Sequence, residues 1–381
     1  MRILLNGVET NNKGAELMLY AIMQEIERRF PDATVILPSF NIQHGYSYIK
    51  TKLNFRDLPG AFIFNPLGKL HVPGILRRLG LPYERFTDFR KIKNVGYFID
   101  GSGFAFSDKW NPGKLTYDLW KHRLEKYKKQ GTKIIFLPQA FGPIEKPWTK
   151  QLIGLLSDNA TVLMPREEIS EKYLLNAGVD KNKVKRYTDF TSLVEGEIPE
   201  RLRYLKDKVC IIPNLRMVDK GTISMDKYLD LIQKMIDKIH EEGYGVFLLN
   251  HEGQGDEDLC YKIQQKVGNV EVVTGLNALE VKGVISLSYL CITSRFHGLA
   301  SALNSGVPCL ATSWSHKYEE LYKDYNVSDC IINLSDPADA EKKIKWLLNP
   351  EVNAEMRKKL KEMKPKIQQQ TREMWDEIWK L

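Results

Sequence analysis

Short apolar runs rich in β-branched residues alternate along the chain with longer stretches whose apolar positions recur every three or four residues. In the first half the runs are 2–6 (RILLN), 33–38, 61–64, 95–99, 133–137 and 161–164. Near-continuous apolar runs of this length predict strands of a parallel sheet buried on both faces. Between the first two, Leu19, Ile22, Met23, Ile26 and Phe30 share one face at a 3.6-residue period, which predicts an amphipathic helix. The alternation pauses at 195–208, a polar stretch containing Pro199 that reads as a linker. It resumes with strands predicted over 209–213, 245–249, 270–273, 290–293 and 308–311, and helices over 225–241 and 297–305.

This pattern predicts an α/β protein of two Rossmann-like domains, 1–194 and 195–338, with a central cleft outside their strand C-termini. Residues 339–381 are helical and basic, and Trp346, Leu347, Trp375 and Trp379 are the expected anchors packing them back on the body. A length of 381 residues suits two ordinary domains, and 43% hydrophobic with 27% charged residues excludes disordered and fibrous classes. The longest apolar runs, such as 134–137 and 246–249, fall far short of a bilayer span. Asn6, Glu9 and Asn11 follow residues 2–5 at once, which argues against a signal peptide. The cysteines (Cys210, Cys260, Cys291, Cys309 and Cys330) show no C-x-x-C spacing and lie mostly in apolar runs. They predict buried free thiols and a reducing, cytoplasmic setting.

Charge changes this picture in one respect. The 56 Lys and Arg against 48 Asp and Glu leave a net charge of +8, which favours an anionic partner. Part of the excess lies in 69–93, where basic residues interleave with Leu70, Val72, Ile75, Leu76, Leu79 and Leu81. Such a segment suits peripheral contact with an anionic membrane, and equally a solvated loop or helix face. No nucleic-acid motif or basic–aromatic platform accompanies it, so nucleic acid is not an expected partner.

The candidate chemistry sits in turns that directly follow predicted strands. Asn6 to Glu16 form a Gly- and Asn-rich turn entering a helix, which exposes backbone N–H groups to an anion or polar ligand. Asn12 and Gly14 serve a helix cap equally well, and neither a G-x-G-x-x-G nor a P-loop pattern is present. Asp100-Gly101-Ser102-Gly103 ends the strand 95–99, and the glycines admit either a ligand or a neighbouring backbone. Pro138 to Pro143 follow the next strand, and Arg166 the one after, where it faces the expected cleft or pairs with a nearby Glu. The richest run is 294–317: strand 290–293 feeds Arg295, Phe296 and His297 into a turn, and His316 and Lys317 follow the next strand. Arg295 offers a planar fork for carboxylate or phosphate, and His297 a proton acceptor near neutral pH. His251, with Glu252, Asp256, Glu257 and Asp258, suits a metal or a solvated acidic loop, and the loop is the expectation.

Together these residues resemble the polysaccharide pyruvyl transferase family. The resemblance rests on Asn12-Lys13-Gly14-Ala15-Glu16, Asp100 to Gly103, Pro138 to Pro143, Arg166 to Ser170, Arg295-Phe296-His297, Gly306 to Pro308 and Lys317. Asp100 stands where the family often has Gly, and Phe296 where Leu is usual. The resemblance implies a GT-B-like fold and transfer of pyruvate from phosphoenolpyruvate (PEP) onto a sugar as a cyclic ketal, with no cofactor and no metal. It implies an acceptor side in the N-terminal domain and a PEP side in the C-terminal one. His297, Arg166 and Arg295 are the expected catalytic groups, and Lys317, Phe296, Asn12, Gly14, Glu16, Gly103 and His251 further substrate contacts. The acceptor is expected to be a galactose or related hexose of a lipid-linked or polymeric surface glycan, met at the inner face of the plasma membrane. Two rivals keep the same architecture: a glycosyltransferase using a nucleotide sugar, and a non-catalytic glycan- or membrane-binding scaffold.

Overall fold

A computed structural model describes residues 1–10, 12–38, 54–58, 93–219, 221–312, 317–334 and 336–381. The expected strand 61–64, His316 and all of the basic segment 69–93 except Lys93 lie outside the described residues. Contacts divide the chain into two units. One comprises Met1–Asn11, Met18–Phe190 and Glu373–Leu381, and the other Asn12–Leu17 and Thr191–Arg372.

The first unit is built on a six-stranded parallel sheet: β1 (Arg2–Asn6), β2 (Thr34–Pro38), β3 (Asn54–Leu58), β4 (Tyr97–Asp100), β5 (Lys133–Gln139) and β6 (Val162–Pro165). The strands lie in the order β3-β2-β1-β4-β5-β6, so the chain reverses its direction across the sheet between β1 and β4. Helices Lys114–Lys129 and Pro147–Asn159 follow β4 and β5, and Leu124, Tyr127, Leu152, Ile153 and Leu156 join Phe98, Phe106 and Phe136 in the core. β3 runs beside β2 in register, Thr34 opposite Asn54, at the edge of the sheet.

The second unit repeats the plan with β7 (Val209–Ile212), β8 (Val246–Leu249), β9 (Glu271–Val273), β10 (Leu290–Thr293) and β11 (Cys309–Ala311). All pair in parallel in the order β11-β10-β7-β8-β9, with the reversal between β7 and β10. Every residue of β7, β8, β10 and β11 is buried, which is why these strands read as unbroken apolar runs. Helix Met225–Glu241 buries Tyr228, Ile232, Met235, Ile236 and Ile239, a stripe set by its three- and four-residue spacing. Helix Ala278–Leu287 begins with a reciprocal cap: Asn277 Oδ1 accepts the Glu280 N–H (3.0 Å), and the Glu280 carboxylate accepts the Asn277 N–H (2.9 Å). All five cysteines are free and buried in this unit's core.

The stretch 195–208 is mostly exposed, as its polarity suggests, but it is anchored at a few points. A short 3-10 helix, Glu200–Leu205, buries Leu202 and Leu205, and Glu197 N–H bonds the Leu279 carbonyl (2.9 Å). Helices Pro337–Leu348 and Pro350–Ile378 lend Ile344, Leu347, Leu360 and Ile367 to the second core, while Trp375 stacks on Trp379 and meets Phe190 edge-on in the first unit. Trp346 is not an anchor: it is 36% exposed, because Ile344 and Leu347 already fill the buried side of its helix. Among the described residues no helix is long and apolar enough to cross a membrane.

The connection at 195–198 lies so close to helix Ala278–Leu287 that a Cβ on Gly283 would stand 2.0 Å from the Glu197 carbonyl oxygen. Gly283→Ala is therefore expected to destabilise the protein by about 1–3 kcal/mol, the usual cost of overpacking. Urea unfolding of the two forms reads this directly, and equal midpoints would show that the connection yields without strain.

Candidate functional site

In doubly wound sheets, ligands meet the strand C-termini where strand order reverses. In the second unit that edge carries Asn214 after β7, Asn250 to Glu252 after β8, and Ser294 to His297 after β10. Asn214 Nδ2 bonds the Ser294 carbonyl (2.8 Å), which also accepts the Tyr318 hydroxyl (2.7 Å), while Ser294 Oγ pairs with Thr312 Oγ1 (2.5 Å). These bonds hold the backbone from which Arg295 projects. Helix Phe296–Asn304 then packs close on β10, since a Cβ at Gly298 would come within 2.7 Å of Thr293 Oγ1.

Arg295 is the charged centre of this edge. Its Nε donates to Asp256 Oδ2 (2.9 Å), its Nη2 reaches the same oxygen (2.5 Å), and its Nη1 pairs with Glu252. Asp256 also accepts the Leu215 N–H (3.0 Å). Burial works against charge on both members, raising the Asp256 carboxyl and lowering the Arg295 guanidinium, so close contact must offset desolvation. The stretch after β8 is therefore not the solvated acidic loop expected: His251 and Asp256 are buried, because Arg295 requires a carboxylate there. Among the described residues no group of three or more His, Cys, Asp or Glu side chains is placed to hold a metal ion.

The end of the N-terminal turn, from Asn12, joins the same unit. Asn12 forms an isolated antiparallel bridge with Glu252, and Lys13 N–H donates to the His251 carbonyl (3.3 Å). Asn12 Oδ1 accepts the N–H groups of Gly14 (2.9 Å) and Ala15 (3.2 Å), capping helix Lys13–Arg29. Gly14 faces His297, and a Cβ there would lie 2.2 Å from the imidazole Nδ1. Glu16, buried, pairs with Lys13 (2.7 Å) and accepts the Ala278 N–H; burial raises its carboxyl and these contacts oppose the rise. Phe296 meets His297 edge-on (5.3 Å), and Lys317 Nζ stands 5.4 Å from the Phe296 ring centre. Asn12, Gly14, Glu16, His251, Arg295, Phe296, His297 and Lys317 thus gather in one unit.

Gly103 and Arg166 belong to the first unit. The Gly103 carbonyl accepts the Ala140 N–H (3.1 Å), and Arg166, buried at the end of β6, donates its backbone N–H to Gln139 (3.0 Å). Ser170 bonds both Glu167 and the Phe141 backbone, which accounts for part of the Arg166 to Ser170 run. Asp100 is fully buried between Asn6 Nδ2 (2.6 Å), Gln139 Nε2 (3.1 Å) and the Ser102 N–H (3.1 Å), and burial raises its carboxyl. Arg123 extends the network to Asn6 Oδ1 (2.6 Å). Neither Arg123 nor Asn214 stood out in the sequence; Asn214, two residues beyond the last residue of β7, occupied a position that could have drawn attention.

A family model described as polysaccharide pyruvyl transferase matches residues 12–316. The amylovoran biosynthesis protein AmsJ of Erwinia amylovora is 23% identical over 361 residues, covering 83% of this chain and 84% of its own. Among solved structures, Anabaena Alr3699/HepE in complex with UDP and glucose aligns with a TM-score of 0.62 at 12% identity over 100% of both chains. A putative UDP-N-acetylglucosamine 2-epimerase from Listeria monocytogenes gives 0.61 at 12% identity, over 93% of this chain and 90% of its own. At such identity these structures speak to fold alone, and the fold is GT-B-like.

Burial, and then the positive charge of Arg295, hold the His251 imidazole well below its ordinary value of 6.5. Below pH 6.5 the unfolded chain takes up a proton that the native His251 refuses. Stability is therefore complete above that pH and falls as acid is added, by about 1.4 kcal/mol per pH unit until the native group titrates. His251→Gln is expected to flatten this acid limb, read as urea midpoints between pH 7 and 5. An unchanged slope would assign the acid sensitivity to other groups.

Proposed function

The chain belongs to the polysaccharide pyruvyl transferase family, and from that premise we propose that it moves pyruvate from PEP onto two hydroxyls of a glycan hexose as a cyclic ketal. The acceptor in this reading is a galactose or related hexose of a lipid-linked or polymeric surface glycan. The second unit takes PEP and the first the acceptor. The reaction runs in the cytoplasm at the inner membrane face, a setting with which five free thiols agree.

The observation that carries the reading is that Arg295, at the strand-order reversal, stands two residues before a His297 whose imidazole packs on Gly14. A solvent-derived proton, replaced by the one that His297 later releases, adds to the PEP methylene carbon, turns it into a methyl group and leaves C2 electron-poor. One acceptor hydroxyl adds to C2, and His297 takes its proton. The C2–O bond to phosphate then breaks, its electron pair leaving with phosphate. The second hydroxyl closes the ketal, and its proton is accounted for on the departing phosphate. PEP brings a phosphate and a carboxylate, which suit the Arg295 fork and the Lys317 ammonium. Glu252 is the more exposed partner of Arg295, at 22% against 2% for Asp256. We assign it the place that a PEP oxygen takes over, with Asp256 remaining as the anchor.

His297→Ala is expected to lower turnover roughly 100- to 10,000-fold while PEP still raises the melting temperature. Wild-type turnover would remove His297 from the proton step. Glu252→Gln should tighten PEP binding by removing a competitor, whereas Asp256→Ala should lose on the order of 3 kcal/mol of stability by stranding a buried guanidinium. Weaker PEP binding in Glu252→Gln would overturn the exchange.

HepE and the Staphylococcus aureus protein MnaA, which share this fold, were solved with UDP, so a nucleotide-sugar reaction is the second reading. Thermal shift with PEP and with UDP, each at about 100 times its dissociation constant, separates the two. The true ligand adds about 2.7 kcal/mol. Stabilisation by UDP and not PEP would replace pyruvyl transfer with glycosyl transfer.

A further inference from the structure

We propose that Phe104 and Trp110 form a stacking platform for a pyranose ring of the glycan acceptor, a subsite in the first unit. The identity of the ligand class rests on the pyruvyl transfer reading above.

Both residues lie on the segment that leaves β4, one residue and a few residues beyond Gly103, beside the strand-order reversal of the first sheet. Trp110 is 55% exposed, the large apolar side chain of this loop most open to water. A single exposed tryptophan is ordinary on a surface; one whose backbone and ring are both tied down is less so. Its 3-10 turn, Asp108–Trp110, is capped by Ser107 Oγ, which accepts the Lys109 N–H (3.2 Å). The Asp108 carboxylate accepts the N–H groups of Glu145 (2.7 Å) and Lys146 (3.2 Å), and its own N–H bonds the Pro143 carbonyl (2.9 Å). Asn111 closes the turn in the left-handed region (φ 46°).

The indole itself is fixed by a bond from Nε1 to the Phe104 carbonyl (2.7 Å), and the two rings meet at 67° with centres 6.1 Å apart. Phe106, two residues on from Phe104, is buried and stacks on Phe141, so the corner is rooted in the core. With its N–H satisfied by the backbone, the indole contributes its ring face rather than a donor. That is the surface a pyranose needs for its C–H face, since an aromatic ring of this kind gives large contact area with little entropy to lose. Polar groups for the sugar hydroxyls stand at the rim. Lys109 Nζ is 5.6 Å from the Phe104 ring centre, and Lys146 Nζ is 3.0 Å from Asn111 Oδ1.

A membrane interface is the other surface that takes exposed tryptophan. It requires a broader apolar face, and here the neighbours are Ser107, Asp108, Lys109 and Asn111, one of them an anion. A sugar ring matches the size and polarity of the corner better.

Affinity electrophoresis tests this without turnover, with the intact protein run through gels holding neutral galactan, glucan or mannan. At least one polysaccharide should retard the wild type and Trp110→Phe. Trp110→Ala and Phe104→Ala should bind it roughly tenfold more weakly. The PEP-induced thermal shift should be the same in all four. Absence of retardation by any of the three, or retardation undiminished in Trp110→Ala, would overturn the platform. So would co-sedimentation with anionic phosphatidylserine vesicles that Trp110→Ala abolishes, which would make the corner a membrane contact. If PEP fails to stabilise the wild type, it is pyruvyl transfer that falls, and the gels still report on the sugar.

Discussion

Burying a guanidinium at the end of β10 imposes conditions that most of the second unit's strand edge then satisfies. Arg295 stays charged at any ordinary pH, so it demands carboxylates within hydrogen-bond reach. Asp256 answers from the first turn of the helix that follows β8, and Glu252 from the residue before that helix. Once Glu252 is held there, its backbone pairs with Asn12, and the His251 carbonyl receives the Lys13 N–H. The start of the N-terminal helix is thereby grouped with strands far along the chain. Gly14 then becomes obligatory, because the imidazole of His297 occupies the space a side chain would need. The ion pair need not add much stability by itself, since desolvation consumes most of its attraction. What it fixes is geometry: three segments distant in sequence meet at one strand edge.

The fold was legible where burial on both faces leaves an unbroken apolar run, as in β7, β8 and β10. It was illegible where a strand sits at an edge. Asn54 to Leu58 carry Arg56 and Asp57 in the middle of a strand that pairs on one side, and no apolar pattern marks it. The polar stretch 195–208 is mostly exposed, and its composition did not reveal that Leu202 and Leu205 anchor a 3-10 turn within it. Trp346 misled because a large apolar residue need not lie on the buried face of its helix.

Of the candidate site, residues that follow a strand directly could be found, since a parallel sheet gathers its C-terminal turns at one edge. Arg295 and His297 are of this kind. Their partners could not be found so easily. Nothing in sequence spacing distinguishes an Asp256 that neutralises a buried arginine from one in a solvated acidic loop, because the distinction is a distance between residues 39 apart in the chain. Asn12 shows the same limit in reverse. Cap and ligand contact use the same oxygen, and in the structure that oxygen accepts two N–H groups of its own helix.

The two units share a topology yet wire their strand-order reversals differently. In the first, the carboxylate of Asp100 is fully buried and met by side-chain amides and a backbone N–H, and the exposed Trp110 lies on the segment that follows β4. In the second, the edge is ionic, with Arg295, Lys13, Glu16, Glu252 and Asp256 in direct pairs. An exposed, tied-down aromatic pair suits a sugar, whose recognition depends on ring faces and hydroxyls. An ionic edge suits a small multiply charged donor, which must exchange one set of strong contacts for another on binding and again on release. Since strand order is the same in kind, the difference resides in the turns, where a few residues after each strand can change without cost to the sheet.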